Sequence, residues 1–353
     1  MFVIDAHLDL AMNALNWNRD LRVSVGEMRR LEAGMTGKGR AASTVSFPDL
    51  RCGSVGLSIA TLIARVSREG NPLSGYRTAD IAYAAAMGQL AYYRQLEADG
   101  VCRVIADRQT LDRHAAAWQS GAGPEEPLGF IISMEGADPI VSPDTVPAWY
   151  ESGLRIVGLT HYGVSTYAHG TGTTGGLTPL GKPLLQAMEQ VGMLLDVTHL
   201  ADQSFDEALD AFGGTVLASH HNCRALVPGD RQLTDDQIKR LVHRDAVIGA
   251  AMDDWMLYPG WVRGETNRSV VGLTDVVDHI DHVCQIAGNS KHSAIGTDLD
   301  GGYGTEQSPR DLDTIADLQK IPDLLRGRGY AEADVQDIMH ENWLRLLRKA
   351  WGG

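Results

Sequence analysis

A (β/α)8 TIM barrel is the fold class this sequence predicts, on three observations. Short β-rich apolar runs recur along the chain, amphipathic helical stretches separate most of them, and chemically active side chains stand where the apolar runs end. The runs fall at 2–4, 55–63, 129–133, 155–160, 193–197, 215–219, 247–252 and 293–297, which matches the eight strands of a closed barrel. The length of 353 residues suits one such barrel over 1–353, since these folds exceed the usual domain size. An open doubly wound sheet accommodates the same alternation and remains the alternative.

The first run, FVID, passes directly into HLDL, so the first strand ends in ligand-type residues. Between later runs, the stretches 79–97, 183–192, 203–211, 234–244 and 273–287 repeat apolar residues at helical spacing. A ninth apolar run at 101–105 has no place among the eight and is read as an accessory strand or a buried loop. The segment 330–349, with a capping-type Asp334 ahead of its apolar pattern, is read as the helix closing the C-terminal end. Polar, Gly-rich intervals at 65–75, 121–127, 162–181 and 258–269 read as loops, the third being the longest βα insertion. No repeat of fixed period is visible. Of Trp17, Trp149, Trp255 and Trp261, one or two are expected to line a pocket and the rest to fill core.

With 45 acidic against 31 basic side chains, the net charge of −14 argues against nucleic acid or an anionic membrane as partner. The start of the chain has neither the basic n-region nor the long apolar h-region of a signal peptide. No segment reaches eighteen uninterrupted apolar residues, so the expectation is a soluble cytoplasmic protein. Cys52, Cys102, Cys223 and Cys284 are far apart and show no CxxC, which speaks against a disulfide framework or a thiolate zinc site. Cys223 reads as a small space-filling residue rather than a nucleophile.

Polar side chains end the apolar runs repeatedly: His7 and Asp9 after FVID, Glu135 after FIISM, His161 after RIVGLT, His199 after LLDVT, His220 after TVLAS and Asp298 after AIGT. Strand ends of a barrel converge on one mouth even when they are distant in sequence. The period of two in His7-x-Asp9 lets both side chains reach one metal, although alone such a pair more often reflects surface exposure or local hydrogen bonding. With Glu135, His199 and His220 it forms a candidate five-residue set, in which the two oxygens of Glu135 can bridge two metals. His/Asp/Glu ligands without cysteine suit Zn2+, with Mn2+, Co2+ and Fe2+ as compatible alternatives.

His221 would point to the opposite face from His220 and reads as a supporting residue. The other histidines, 114, 169, 243, 279, 282, 292 and 340, read as mostly solvent-facing or helix-borne, with His169 in its Gly-rich loop as the exception that could touch substrate. In GTDLDGG, Asp298 is the candidate acid–base group, while Asp300 is expected to hold the turn or orient a ligand histidine. Arg224 and Arg231 are candidate carboxylate clamps, with an exposed salt bridge as the default for Arg224.

These motifs resemble those of the membrane (renal) dipeptidase family of zinc metallopeptidases, a branch of the amidohydrolase-like barrels. The resemblance runs through DAHLDL, FPDLRCGSVG, SMEGAD, LTHYG, GLTPLG, LLDVTHL, SHHNCRAL, GDRQLTDDQI and GTDLDGG, about the first 300 residues. It implies two Zn2+ per chain, one held by His7 and Asp9, the other by His199 and His220, with Glu135 between them. It implies that a protonated His161 contacts the scissile carbonyl oxygen, that Arg231 binds the substrate's C-terminal carboxylate, and that Asp298 carries the proton. The implied activity is hydrolysis of L–L and L–D dipeptides, and the implied quaternary state is a homodimer. Two stretches depart from the family pattern: His220-His221-Asn222, and AAMDDWMLYP after the seventh strand. Asp253 and Asp254 in the second would favour a cationic substrate or be paired within the protein. Only the catalytic part of the mammalian membrane enzyme is resembled, without its signal sequence or hydrophobic anchor tail. The alternatives to a dipeptidase are another metal-dependent amide or lactone hydrolase on this barrel, and a non-catalytic metal-binding protein.

Overall fold

The structure is a computed structural model that describes residues 1–121, 123 and 125–352, so Ala122 and Pro124 of the expected 121–127 loop lie outside the described residues. Among the described residues nine strands form: β1 (Val3–Leu8), β2 (Val55–Ile63), β3 (Cys102–Val104), β4 (Leu128–Glu135), β5 (Leu154–Gly158), β6 (Leu194–Asp196), β7 (Val216–Leu217), β8 (Ile248–Ala250) and β9 (Ser293–Ile295). All pairings between them are parallel, in the order β1-β2-β4-β5-β6-β7, with β8 paired to β9. A bridge between Ala218 and Ile248 joins β7 to β8, and the Asp298 N–H donates to the His7 carbonyl at 3.3 Å, returning β9 to β1. The ring of eight strands with outer helices is a (β/α)8 barrel. β2 and β4 are buried at every position, as parallel strands covered on both faces must be.

The ninth apolar run is an accessory strand. β2 occupies one edge of β4 along Gly129–Glu135; on the other edge β3 pairs with residues 128–130 and β5 with residues 132–135. β3 thus fills the lower half of an edge whose upper half belongs to the barrel.

Several strands are shorter than their apolar runs. The run 215–219 yields only Val216–Leu217, because the Ser219 N–H turns to the carboxylate of Asp196 at 3.0 Å instead of continuing the ladder. β1 runs longer than expected, through Asp5 and His7, since the Asp5 carboxylate finds donors within the barrel. Gly249 and Gly296 face the Ser219 carbonyl so closely that a Cβ at either would collide with it, and this lets β7, β8 and β9 close together.

The expected helices form with small shifts at their ends: Ala79–Ala98, Gly181–Val191, Asp202–Ala211, Asp235–His243 and Leu273–Ala287. Thr234 and Gln237 make a reciprocal capping box at the fourth of these. The closing segment 330–349 is broken into Glu332–Gln336, a π-turn over Asp337–Glu341, and Asn342–Ala350. Asp334 accepts from the Ala331 N–H, and the Trp343 indole, fully buried, donates to the Ile295 carbonyl at 2.9 Å. One contiguous apolar cluster extends from Phe2 to Leu347. Among the described residues no helix is long and apolar enough to cross a membrane.

The histidine reading holds except at His292. His114, His279 and His340 are helix-borne but buried, and His292 is neither helical nor solvent-facing, its Nδ1 lying 2.8 Å from the Ala246 carbonyl.

Candidate metal centre

The seven candidate residues arrive at one place from six strand ends. His7 lies in β1 and Asp9 just beyond it, Glu135 is the last residue of β4, and His161, His199, His220 and Asp298 each stand three residues past β5, β6, β7 and β9. His199 and Asp298 adopt left-handed backbone, φ 67° and 59°, a conformation that costs a non-glycine residue free energy and that the surrounding fold must impose.

Glu135 is the hub. Its Oε2 faces His7 Nε2 at 3.6 Å, and its Oε1 faces His199 Nε2 at 3.3 Å, His220 Nε2 at 3.4 Å and His161 Nε2 at 3.7 Å. His7 Nε2 is also 3.8 Å from Asp9 Oδ1 and 3.9 Å from Asp298 Oδ1. One oxygen of Glu135 therefore belongs to a His7–Asp9 nest and the other to a His199–His220 nest. The atoms of each nest lie within 4.8 Å of one another, a spacing that can enclose a metal ion.

Hydroxyls orient the ligand-type side chains from behind. Thr171 Oγ1 lies 3.0 Å from His199 Nδ1, Ser219 Oγ lies 2.9 Å from His220 Nδ1, and the Thr61 hydroxyl donates to Asp9. The Nδ1 atoms of His199 and His220 are thus engaged, which turns their Nε2 atoms inward. Buried His7 Nε2 has no hydrogen-bond partner among the described residues. His199 Nε2 and His220 Nε2 face each other at 3.3 Å. Lone-pair-bearing nitrogens and carboxylates packed this closely away from water call for a cation between them, so the residues fit a metal centre.

The charges agree. Burial would lower the pKa of His7, but Glu135, Asp9 and Asp298 together hold it up at about 10, so a positive charge is favoured here even if only a proton supplies it. Burial raises Glu135, yet His161 and His7 pull it well below the ordinary range. Burial pushes Asp9 up to about 6, with the charge of Glu135 adding to it, and raises Asp298 well above the usual carboxylate value. Burial, reinforced by Arg65 and Arg231 against the pull of Glu135, pushes His161 down to about 3. Burial thus favours the neutral imidazole, in which form His161 can still donate a hydrogen bond.

A cavity of about 740 Å3 opens on this cluster. Asp9, Glu135, His161, His199 and Asp298 form its floor, and Trp17, Trp255 and Trp261 its walls, so three of the four tryptophans considered line it while only Trp149 is core. Arg231 also lines it. It is 1% exposed, its Nη2 donates to the His220 carbonyl at 2.9 Å, and its Nη1 is left without a partner among the described residues. Arg224 instead pairs with Asp202 at 2.7 Å.

Asp300 is fully engaged away from the cavity, accepting from the amide and hydroxyl of Thr44, the amide of Val45 and the guanidinium of Arg19; it anchors the segment between β1 and β2. His221 is buried outside the cavity wall, and His169 faces a separate recess with Asp202 and Asp230. Asp254 does not reach the cavity, whereas Asp253 does, its oxygens accepting from Gln307 and Trp255. Sequence reasoning missed the orienting residues Thr61, Thr171 and Ser219, and Asp5 behind them. An acid inside the FVID run was the available signal for Asp5.

Comparison with known proteins agrees with this architecture. The profile of the membrane dipeptidase family (peptidase family M19) matches residues 1–351. A Klebsiella pneumoniae protein of the pqqA 5′ region, itself uncharacterized, is 29% identical over 234 residues, 64% of this chain and 83% of that one. Dipeptidase tcpJ of Claviceps purpurea is 28% identical over 234 residues, 63% of this chain, and the match spans only 51% of its length. Among solved structures, the M19 metallopeptidase dipeptidase AC superposes with TM-score 0.81 at 22% identity, covering 100% of this chain and 99% of that one. A Rhodobacter sphaeroides metallopeptidase, solved with a phosphinate mimic of L-Ala-D-Ala, gives TM-score 0.79 at 22% identity with 99% of each chain covered. The two structures establish likeness of fold, and the profile match over nearly the whole chain establishes kinship: this chain belongs to the membrane dipeptidase family, peptidase family M19.

Proposed function

We propose that this chain is a binuclear zinc dipeptidase that hydrolyses L–L and L–D dipeptides bearing a free C-terminal carboxylate. The observation that carries the reading is the pairing of two features in one cavity: Glu135 divided between two ligand nests, and buried Arg231 with an unpartnered Nη1. A guanidinium donor kept from water in a cavity wall is matched by a carboxylate, and its closeness to the cluster limits the chain beyond the scissile bond to one residue.

His7 and Asp9, and His199 and His220, with Glu135 shared, would hold the two ions, which supply Lewis acidity and lower the pKa of water at the site. Arg231 binds the carboxylate and so fixes the scissile carbonyl beside His161. Neutral His161 donates a hydrogen bond to the carbonyl oxygen as negative charge develops there. Asp298 takes the proton of the attacking water and passes it to the departing amine as the C–N bond breaks, releasing two amino acids. The Rhodobacter structure with a mimic of L-Ala-D-Ala supports including D residues on the carboxyl side.

The test is amino-acid release by the Zn2+-loaded protein from L–L and L–D dipeptides, their C-terminal amides, and an Arg231→Ala variant. Turnover of free-carboxylate dipeptides alone, lost in the variant, is the expected result. Silence across the panel overturns the reading.

A further inference from the structure

Arg65 stands two residues beyond the end of β2 and lines the cavity beside Asp9, Glu135 and His161. Its Nε is buried with no hydrogen-bond partner among the described residues. The acids nearest it in electrostatic effect are Glu135 and Asp9, followed at greater remove by Asp138. The first two belong to the metal centre, where bound cations would compensate them. Asp138 is already engaged by Arg68 at 3.1 Å and by the amide and hydroxyl of Thr166. The Arg65 charge is thus left facing the cavity.

The strand order gives this charge a direction. Around the ring β1-β2-β4-β5-β6-β7-β8-β9, β2 and β7 are four strands apart, on opposite sides of the mouth, and β5 lies midway between them. Arg65 follows β2, Arg231 follows β7 and His161 follows β5. Both guanidiniums act on His161, and both lower its pKa. A dipeptide with its carboxylate on Arg231 and its carbonyl at His161 runs across the mouth, so its amino-terminal residue lies on the Arg65 side. Met12, Trp17 and Ile63 wall that side and limit the water that could screen a charge there.

We propose that Arg65 is a specificity-determining residue that receives an acidic side chain on the amino-terminal residue of the substrate, so that the preferred dipeptides begin with Glu or Asp. The inference rests on the dipeptidase reading above. Two further cations, Lys38 and Arg263, line the same cavity, and outside the metal centre and Asp298 the acidic lining residue among those described is Asp253, already bonded to Gln307 and Trp255. The cavity beyond the centre is therefore net positive, which favours the reading of Asp253 as paired within the protein over a cationic substrate.

The experiment compares kcat/KM for Glu-Ala with Gln-Ala, and for Ala-Glu with Ala-Gln, in wild type, Arg65→Met and Arg65→Lys. The expected wild-type ratio for Glu-Ala over Gln-Ala is on the order of tenfold or more, the scale of a charge-assisted hydrogen bond. It should collapse toward one in Arg65→Met and survive in part in Arg65→Lys. Using the ratio cancels any general loss of activity. A wild-type ratio within twofold of one, with Gln-Ala still hydrolysed, overturns this inference and leaves the dipeptidase reading standing. A ratio unchanged in Arg65→Met, with all substrates slowed equally, overturns it too and makes Arg65 a charge balance for Asp9 and Glu135. No turnover of any dipeptide overturns both readings.

Discussion

Thr297 donates both its amide, at 2.8 Å, and its hydroxyl, at 2.6 Å, to the buried carboxylate of Asp5. The same carboxylate accepts from the His7 amide at 3.2 Å, so one side chain ties the first strand to the last, next to His7 and Asp298. All three of these groups are donors. Asp5→Asn would turn an amide N–H toward them, and we expect a loss of about 2 kcal/mol in urea unfolding together with reduced kcat. An unchanged unfolding midpoint would contradict this reading of Asp5.

Glu135 is shared by both ligand nests, so Glu135→Gln should empty both rather than one. Elemental analysis after dialysis against buffered Zn2+ is expected to fall from two equivalents in wild type to below one in the variant. Retention of a full equivalent would mean that the two nests are independent.

Gly296 meets the Ser219 carbonyl, and Ser219 in turn orients His220. Gly296→Ala should cost about 2–3 kcal/mol by overpacking and also weaken metal binding by displacing Ser219. Thermal unfolding with and without added Zn2+ separates the two effects: the Zn2+-dependent gain should shrink along with the midpoint.

Burial pushes His114 down to about 4 and His279 down to about 3, and the His279 Nδ1 accepts the Cys223 amide at 3.0 Å. Below about pH 6.5 the unfolded chain binds these protons while the native chain does not. The contribution of these two groups to stability is therefore complete above that pH and is lost on acidification, by up to roughly 1.4 kcal/mol per unit for each group. Denaturant midpoints from pH 7 to 4 should show the decline, with a shallower slope in His279→Gln.

Asp254 has the opposite sign. Its carboxyl is buried with neither oxygen hydrogen-bonded among the described residues, and burial, with the charge of Asp253 adding to it, pushes it up to about 8. The native chain holds this proton long after the unfolded chain has released it near pH 4, so stability falls as pH rises from about 4 to 8. Asp254→Asn should remove that decline and raise the midpoint most at pH 8. Equal midpoints for variant and wild type at pH 8 would refute it.

The parts of the fold legible in the sequence are those with a local cause. Val55–Ile63 and Leu128–Glu135 read as strands because parallel strands buried on both faces become continuous apolar runs, and Leu273–Ala287 reads as a helix because its spacing and the following Gly288 mark both body and end. The segment between β1 and β2 was not legible. Its helices Leu10–Asn16, Val25–Leu31 and Phe47–Cys52 have six or seven residues each and are held by distant partners such as Arg19 with Glu32 and Asp300 with Thr44. At the site, residues ending apolar runs announced themselves. Thr61, Thr171 and Arg65 did not, because hydroxyls and arginines are common in strands and loops, and only barrel closure brings them to the mouth.

The left-handed backbone at His199 and Asp298 bears on the order in which the molecule assembles. His and Asp visit that conformation more often than most side chains do, but as single residues and at a cost, so the unfolded chain does not hold the two side chains in place ahead of time. They are forced there only when β6 and β9 have docked between their neighbours. We therefore expect an ion to be captured at this centre only after the ring has closed, so that Zn2+ uptake followed during refolding should lag behind the recovery of barrel structure.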